Sequence, residues 1–284
     1  SNSSGSFSSP VNIGTLTGQL SGFISVNIPG GTAAGTGYRI RVVSSLPSFT
    51  GTDNGTNLTI TTTCGNTWLG GSTVWSDPTN WSVAVPSGST DGIIPTTPAN
   101  GNNFPIITSA ISIANLSVQT GASLSVSSTG VLTLNGVLSN AAAVTIQSGG
   151  NFMQGGSSSY SGAGTFKVER NTGSAADGYR DISSPVATTV ADLADDFSVF
   201  GQNGVQCWYA YNPYPNVQVY NEALSIVNGN YYEGWLSYTG TSNVLGAMQG
   251  VAIRTYQGSA FTLDFTGTPH NGPQSISITN TPSA

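Results

Sequence analysis

Between residues 116 and 154 the chain alternates apolar and hydroxyl-bearing residues with a period of two, and the apolar pairs recur at near-fixed intervals. Leu116/Val118, Leu124/Val126 and Leu132/Leu134 stand eight residues apart; Val144/Ile146 follows after twelve and Phe152 after eight more. Gly121, Gly130, Gly136 and Gly149 punctuate the series. Each unit reads as one short strand, apolar side in and Ser/Thr side out, followed by a turn. No unit can bury its own face, so successive coils must stack into one core of Leu, Val and Ile ladders. The stretch predicts a short β-solenoid resembling a parallel β-helix.

The flanking patterns complete an all-β chain. Upstream, residues 11–16, 22–28, 38–43 and 57–62 read as strands, with turns at residues 29–31 and 53–55. In the third of these, Tyr38, Ile40 and Val42 point to one side and Arg39 and Arg41 to solvent. Residues 1–63 are expected to form a partial Ig-like β-sandwich. Residues 64–170 hold a Trp-rich lead-in and the solenoid, ending in a strand over residues 165–170. Residues 171–284 form a mostly-β module with a short, N-capped helix over residues 190–197 and an alternating strand in FTLDFTG.

Charge removes several classes of function. Charged residues are 6% of the 284, against about 25% in ordinary domains. Net charge is −6 and Lys167 is the one lysine, so the clustered cations that bind nucleic acid or an anionic membrane surface are missing. No apolar run reaches the length of a membrane span. There is no initiator Met and no leader pattern, which reads as a mature or excised segment of a longer protein. The Ser/Thr/Asn-rich, lysine-poor surface suits an extracellular location.

Several segments carry a resemblance. SGSFSSPVNIGTLTG, IPGGTAAGTGYRIRVVSSLP and GTDNGTNLTI resemble the Ig-like repeats of large secreted and cell-surface, adhesin-like proteins of gliding-type Bacteroidetes. TWLGGSTVWSDPTNWSVAVPSGSTDGIIP is similar to the Trp-rich segment that precedes β-solenoid coils in those proteins. YRDISSPV, WYAYNPYP, EGW and FTGTPHNG resemble the module that follows the coils. The resemblance implies export by the type IX secretion route and a role in adhesion or surface architecture. It implies no catalytic site.

The chemistry-bearing residues are sparse. From Gly92 through Phe166 there is no Asp, Glu, Lys, Arg or His. General acid/base chemistry and metal binding need such groups, so the solenoid reads as a scaffold and a polysaccharide-degrading enzyme is a distant third reading. The single histidine, His270, falls in a turn with no nucleophile motif beside it and reads as a solvated turn residue. Asp192, Asp195 and Asp196 offer clustered oxygens to Ca²⁺, weighed against a solvated helix start where acidic residues complement the dipole; no other cofactor is indicated. Trp208, Tyr209, Tyr211, Tyr214, Tyr231, Tyr232 and Trp235 form the densest aromatic region, a candidate surface for glycans set against the burial of half of them in a sheet core. Trp68, Trp75 and Trp81 read either as a sugar-stacking platform or, preferably, as the cap of a solenoid end. Cys64 and Cys207 either pair in an oxidising compartment or, as members of different modules, remain buried thiols.

These readings converge on an extracellular, non-enzymatic structural or adhesive surface protein, with a carbohydrate-binding adhesin module as the alternative. Residues 1–63 supply about four strands where an Ig-like sandwich uses roughly seven. Other copies of the same chain are therefore expected to donate a strand and build a head-to-tail fibre, unless the parent chain is merely cut at this point.

Overall fold

In the computed structural model the chain divides into two units, Ser1–Gly65 and Asn66–Ala284. The described residues are all except 19–21, 27, 30–31, 34, 61–65, 174–177, 208–213, 222–223, 225–230, 256–259 and 276–284, and the side chains of residues 231 and 232. The first unit holds Gly35–Tyr38 (β1), Arg41–Ser45 (β2), Ser48–Asp53 (β3) and Leu58–Ile60 (β4). They form two antiparallel pairs, β1 with β4 and β2 with β3. Residues 11–16 and 22–28, expected as strands, hold none among the described residues; they run side by side, so closely that a Cβ on Gly14 would strike the Ser25 carbonyl oxygen.

The single strand expected over residues 38–43 is broken between β1 and β2, and the expected in-and-out alternation is lost, Tyr38 and Ile40 being no more buried than the two arginines. Val42 and Val43 are exposed, whereas Arg39 and Arg41 are half-buried. The cations turn inward because each finds a partner there. Arg39 pairs with Asp53 at 3.1 Å, and the Arg41 guanidinium lies 4.2 Å from the centre of the Phe7 ring, within cation–π range.

The second unit is organised by the solenoid. Asn66–Thr67 (β5) and Gly92–Ile94 (β6) begin the coil. Ile106–Ile107 (β7), Ala110–Ile113 (β8) and Leu116–Val118 (β9) make one full turn, and Ser123–Val126 (β10), Val131–Leu134 (β11) and Val137–Asn140 (β12) the next. Ala143–Ile146 (β13), Asn151–Gln154 (β14) and Ser159–Ser161 (β15) follow, and Thr165–Asn171 (β16) closes about five turns in all. From β6 to β16, strands that follow one another along the chain lie on different faces, giving three parallel sheets: β7-β10-β13-β16, β8-β11-β14, and β5-β6-β9-β12-β15.

The eight-residue interval is therefore the spacing between faces of one turn. Stacked residues are farther apart: Leu124 lies beside Val144 and Val144 beside Phe166, steps of 20 and 22 residues. On the second face Leu132 sits between Ile111 and Phe152, and on the third Leu138 sits between Leu116 and Tyr160. The twelve-residue gap contains β12, which the apolar-pair pattern misses because its second inward position is Asn140. That side chain is fully buried beside Val118. Its Nδ2 donates to Tyr160 Oη (3.1 Å) and the Thr165 carbonyl (3.0 Å), while its Oδ1 accepts from the Ala142 N–H (3.1 Å). A buried amide so satisfied is tolerated where an unpaired one would not be. At the turn between β10 and β11 a Cβ on Gly130 would lie 2.2 Å from the Ile107 carbonyl oxygen, so only glycine lets one turn settle on the next.

Beyond β16 come Arg180–Ile182 (β17), Val186–Thr189 (β18), the helix Val190–Asp196 (α1), Val217–Tyr220 (β19), Trp235–Ser237 (β20), Val244–Leu245 (β21), Val251–Ile253 (β22), Thr262–Thr266 (β23) and Thr268–Pro269 (β24). These form two small antiparallel sheets, β17-β22-β19-β20 and β21-β18-β24, while β23 adds antiparallel to β16 and ends the first solenoid sheet. The boundary expected at residue 170 thus falls at the end of a strand paired across it. One hydrophobic core runs from Trp68 to Phe265 without a break.

Candidate functional site

The acidic residues singled out in the sequence lie where α1 meets the end of the solenoid. Thr189 caps the helix, its Oγ1 accepting from the Ala191 N–H at 3.3 Å. Val190 and Leu193 are buried, fixing which side of α1 meets the sheet. In β23, Leu263 and Phe265 face inward and Asp264 is on the opposite face. Lys167 and Glu169 flank it on β16, and Lys167 Nζ reaches both carboxylates, Asp264 at 3.2 Å and Glu169 at 3.3 Å. Burial works against the charge on Lys167, but the two carboxylates outweigh it and hold its pKa above the ordinary lysine value.

β23 is the edge strand of its sheet, and an edge presents unpaired N–H groups. Here the helix supplies their acceptors. Asp196 Oδ2 accepts from the Asp264 N–H at 2.8 Å, and both Asp192 oxygens accept from the Thr266 N–H at 3.1 Å. Burial is the main cause that pushes the Asp192 and Asp196 carboxyls up to about 6. The backbone donors pull the other way, and the Asp195 and Asp264 carboxylates add to the rise.

Of the three aspartates expected to group, Asp192 and Asp195 lie with Asp264, their oxygens all within 4.8 Å of one another. Asp196 is instead committed to the β23 backbone. Asp264 was missed because FTLDFTG shows that it faces outward but not that β23 lies against α1. A hard cation takes 6–8 oxygens in all. In this group Asp192 already accepts from the Thr266 N–H and Asp264 pairs with Lys167, so part of the oxygen set is engaged within the chain.

The other expected sites separate. Trp208, Tyr209 and Tyr211 lie outside the described residues, as do the side chains of Tyr231 and Tyr232. Tyr214 is exposed, and Trp235 packs edge-on to Tyr220 with ring centres 5.2 Å apart. Cys207 is a buried free thiol whose pKa burial pushes up to about 11, while Cys64 lies outside the described residues. Trp68, Trp75 and Trp81 are all buried, with ring centres 4.7–6.4 Å apart. They fill the first turn, where Trp68 follows β5 and Val74 bridges to Ile106, so their rings are core and not a platform.

No helix among the described residues is long and apolar enough to cross a membrane. Neither a curated protein nor a solved structure matches the chain. A family model does, over residues 67–284, a span that begins one residue inside the second unit and takes in the Trp cluster, the solenoid and its cap. The chain belongs to that family, described as Domain of unknown function (DUF8693).

Proposed function

We propose that the protein is an extracellular, non-enzymatic structural and adhesive component of a bacterial surface, exported by the type IX route, in which the solenoid is a stiff spacer. The observation that carries this reading is the solenoid itself: about five stacked turns around one apolar column, with no charged residue from Gly92 to Phe166. Such a body offers rigidity and a hydroxyl- and amide-rich surface, and offers acid/base chemistry no groups to work with. Its stability comes from neighbour-on-neighbour burial, which suits a part that bears load along its axis.

The Ser1–Gly65 unit supports self-assembly as part of the same reading. Each of its four strands has one paired edge, and two-stranded pieces are marginal in water without a third element to cover them. Among its described residues none of the apolar side chains is buried; Leu46 is 94% exposed and Phe49 69%. A strand from a second copy would cover both the face and the edges.

Antibody labelling of intact cells, with electron microscopy of the released material, tests the reading. Labelling without permeabilisation and elongated particles are expected; signal only after permeabilisation would overturn the location. A concentration-independent monomer by light scattering would overturn the self-assembly. Product release from a polysaccharide panel would replace the structural reading with an enzymatic one.

A further inference from the structure

The last turn of the solenoid is not fully filled. A cavity of about 120 Å³ opens between it and the loops that cap it, walled by Phe152 and Phe166 of the coil and Pro269 of the cap, with Gln154, Arg170 and His270 as its polar lining. Strand alternation explains how a cation comes to be there. On β16 the even positions Phe166 and Val168 are core, and Arg170 is the next residue on that face, opposite Leu263 of β23. Lys167, Glu169 and Asp264 occupy the other face and pair among themselves. Among the described residues Arg170 therefore meets no carboxylate; its Nη1 donates only to the neighbouring Glu169 carbonyl at 2.7 Å. Arg170 is exposed at the mouth of the cavity, and burial of part of its side chain lowers its pKa.

His270 supplies the second half of the argument. Its Nε2 is shielded from solvent and has no hydrogen-bond partner among the described residues, a costly state for a ring nitrogen. A solvent-reaching guanidinium that meets no carboxylate among the described residues, a shielded ring nitrogen lacking a partner there and a wall of two phenyl rings make a specific combination. The first two call for an anion that accepts hydrogen bonds, and the wall for a flat or apolar body. The volume is close to that of cavities that admit a single aromatic ring, about 150 Å³.

From this geometry we infer that the cavity is a binding site for a small carboxylate, its oxygens accepting from Arg170 and His270 Nε2–H and its body lying against the wall that Phe152 and Phe166 form together, their ring centres 5.2 Å apart. This goes beyond the structural role and does not depend on it. The carboxylate can come from a free organic acid or from an acidic sugar, and the probes distinguish them.

Titration of the whole chain with benzoate, benzamide and galacturonate, followed by NMR of the His270 ring, tests the site. Benzoate is expected to bind and shift the ring signals while the uncharged benzamide does not; galacturonate in its place would identify a sugar acid as the source. Arg170→Gln should weaken the bound acid about 10-fold or more. Lys167→Gln, on the opposite face, should leave affinity unchanged and controls for general electrostatics. The inference fails if neither acid binds, if benzamide binds as well as benzoate, or if folded Arg170→Gln binds as tightly as the parent.

Discussion

The two units are built from the same kinds of residue and differ in what their strands bury. In the middle turns of the Asn66–Ala284 solenoid the inward positions meet strands of the turns above and below, so that Leu124, Leu132 and Leu138 are all essentially without solvent exposure. In Ser1–Gly65 the strands pair only two by two, and Val42, Val43 and Phe49 remain exposed. Alternation creates an apolar face; only a second layer or a next turn buries it. The difference teaches that strand pattern and burial are separate properties, and that the solenoid obtains the second by repetition.

The sharpest way to break this comparison is to remove one rung. Leu132 lies midway in its stack, between Ile111 and Phe152, and is fully buried. Leu132→Ala is expected to cost about 3 kcal/mol, a fall of roughly 6–12 °C in the midpoint of a unit this size. Calorimetry checks it. A shift below about 2 °C would mean that the turns relax into the gap and that burial is not shared along the column.

The sequence made the strands of the solenoid legible because each apolar pair is a local signal. It did not show which strands stack, because the eight-residue interval reports the walk around one turn and the 20–22-residue step reports its circumference. The strand β12 was hidden by Asn140, whose burial depends on partners as distant in sequence as Tyr160 and Thr165. The helix α1 was legible from its cap and its apolar spacing, whereas its role at the edge of β23 was not: the pairing of Asp192 with Thr266 spans 74 residues. The facing of Arg39 and Arg41 was misjudged because alternation treats every cation as solvent-seeking, and Asp53 and Phe7 offered them something better.

A smaller effect is expected from pH where α1 meets the edge of β23. Asp192 and Asp196 carry pKa values raised to about 6, so between the ordinary carboxylate value of 3.8 and about 6 the folded chain holds protons that the unfolded chain has released. Stability must then fall as pH rises through that window and level off above it. Both side chains keep substantial contact with water, which screens the effect. Thermal midpoints measured from pH 4.5 to 7.5 should therefore decline modestly. In Asp192→Asn, which keeps an acceptor for the Thr266 N–H, the decline should be shallower. An identical slope in the variant would remove Asp192 as its source.

The smallest expected change is also the one that most sharpens the contrast between the units. Val43 faces Thr50 across the β2–β3 pair and is 58% exposed, so Val43→Ser removes little buried area and should alter stability within about 0.5 kcal/mol. If a strand from a second copy covers this face, the same substitution removes apolar contact from the assembly alone. Denaturant unfolding of the dilute monomer should then coincide with the parent, while light scattering at high concentration should show less association. A clear loss of stability in the dilute monomer would mean that Val43 is already covered within one chain, and the two units would then differ in degree and not in kind.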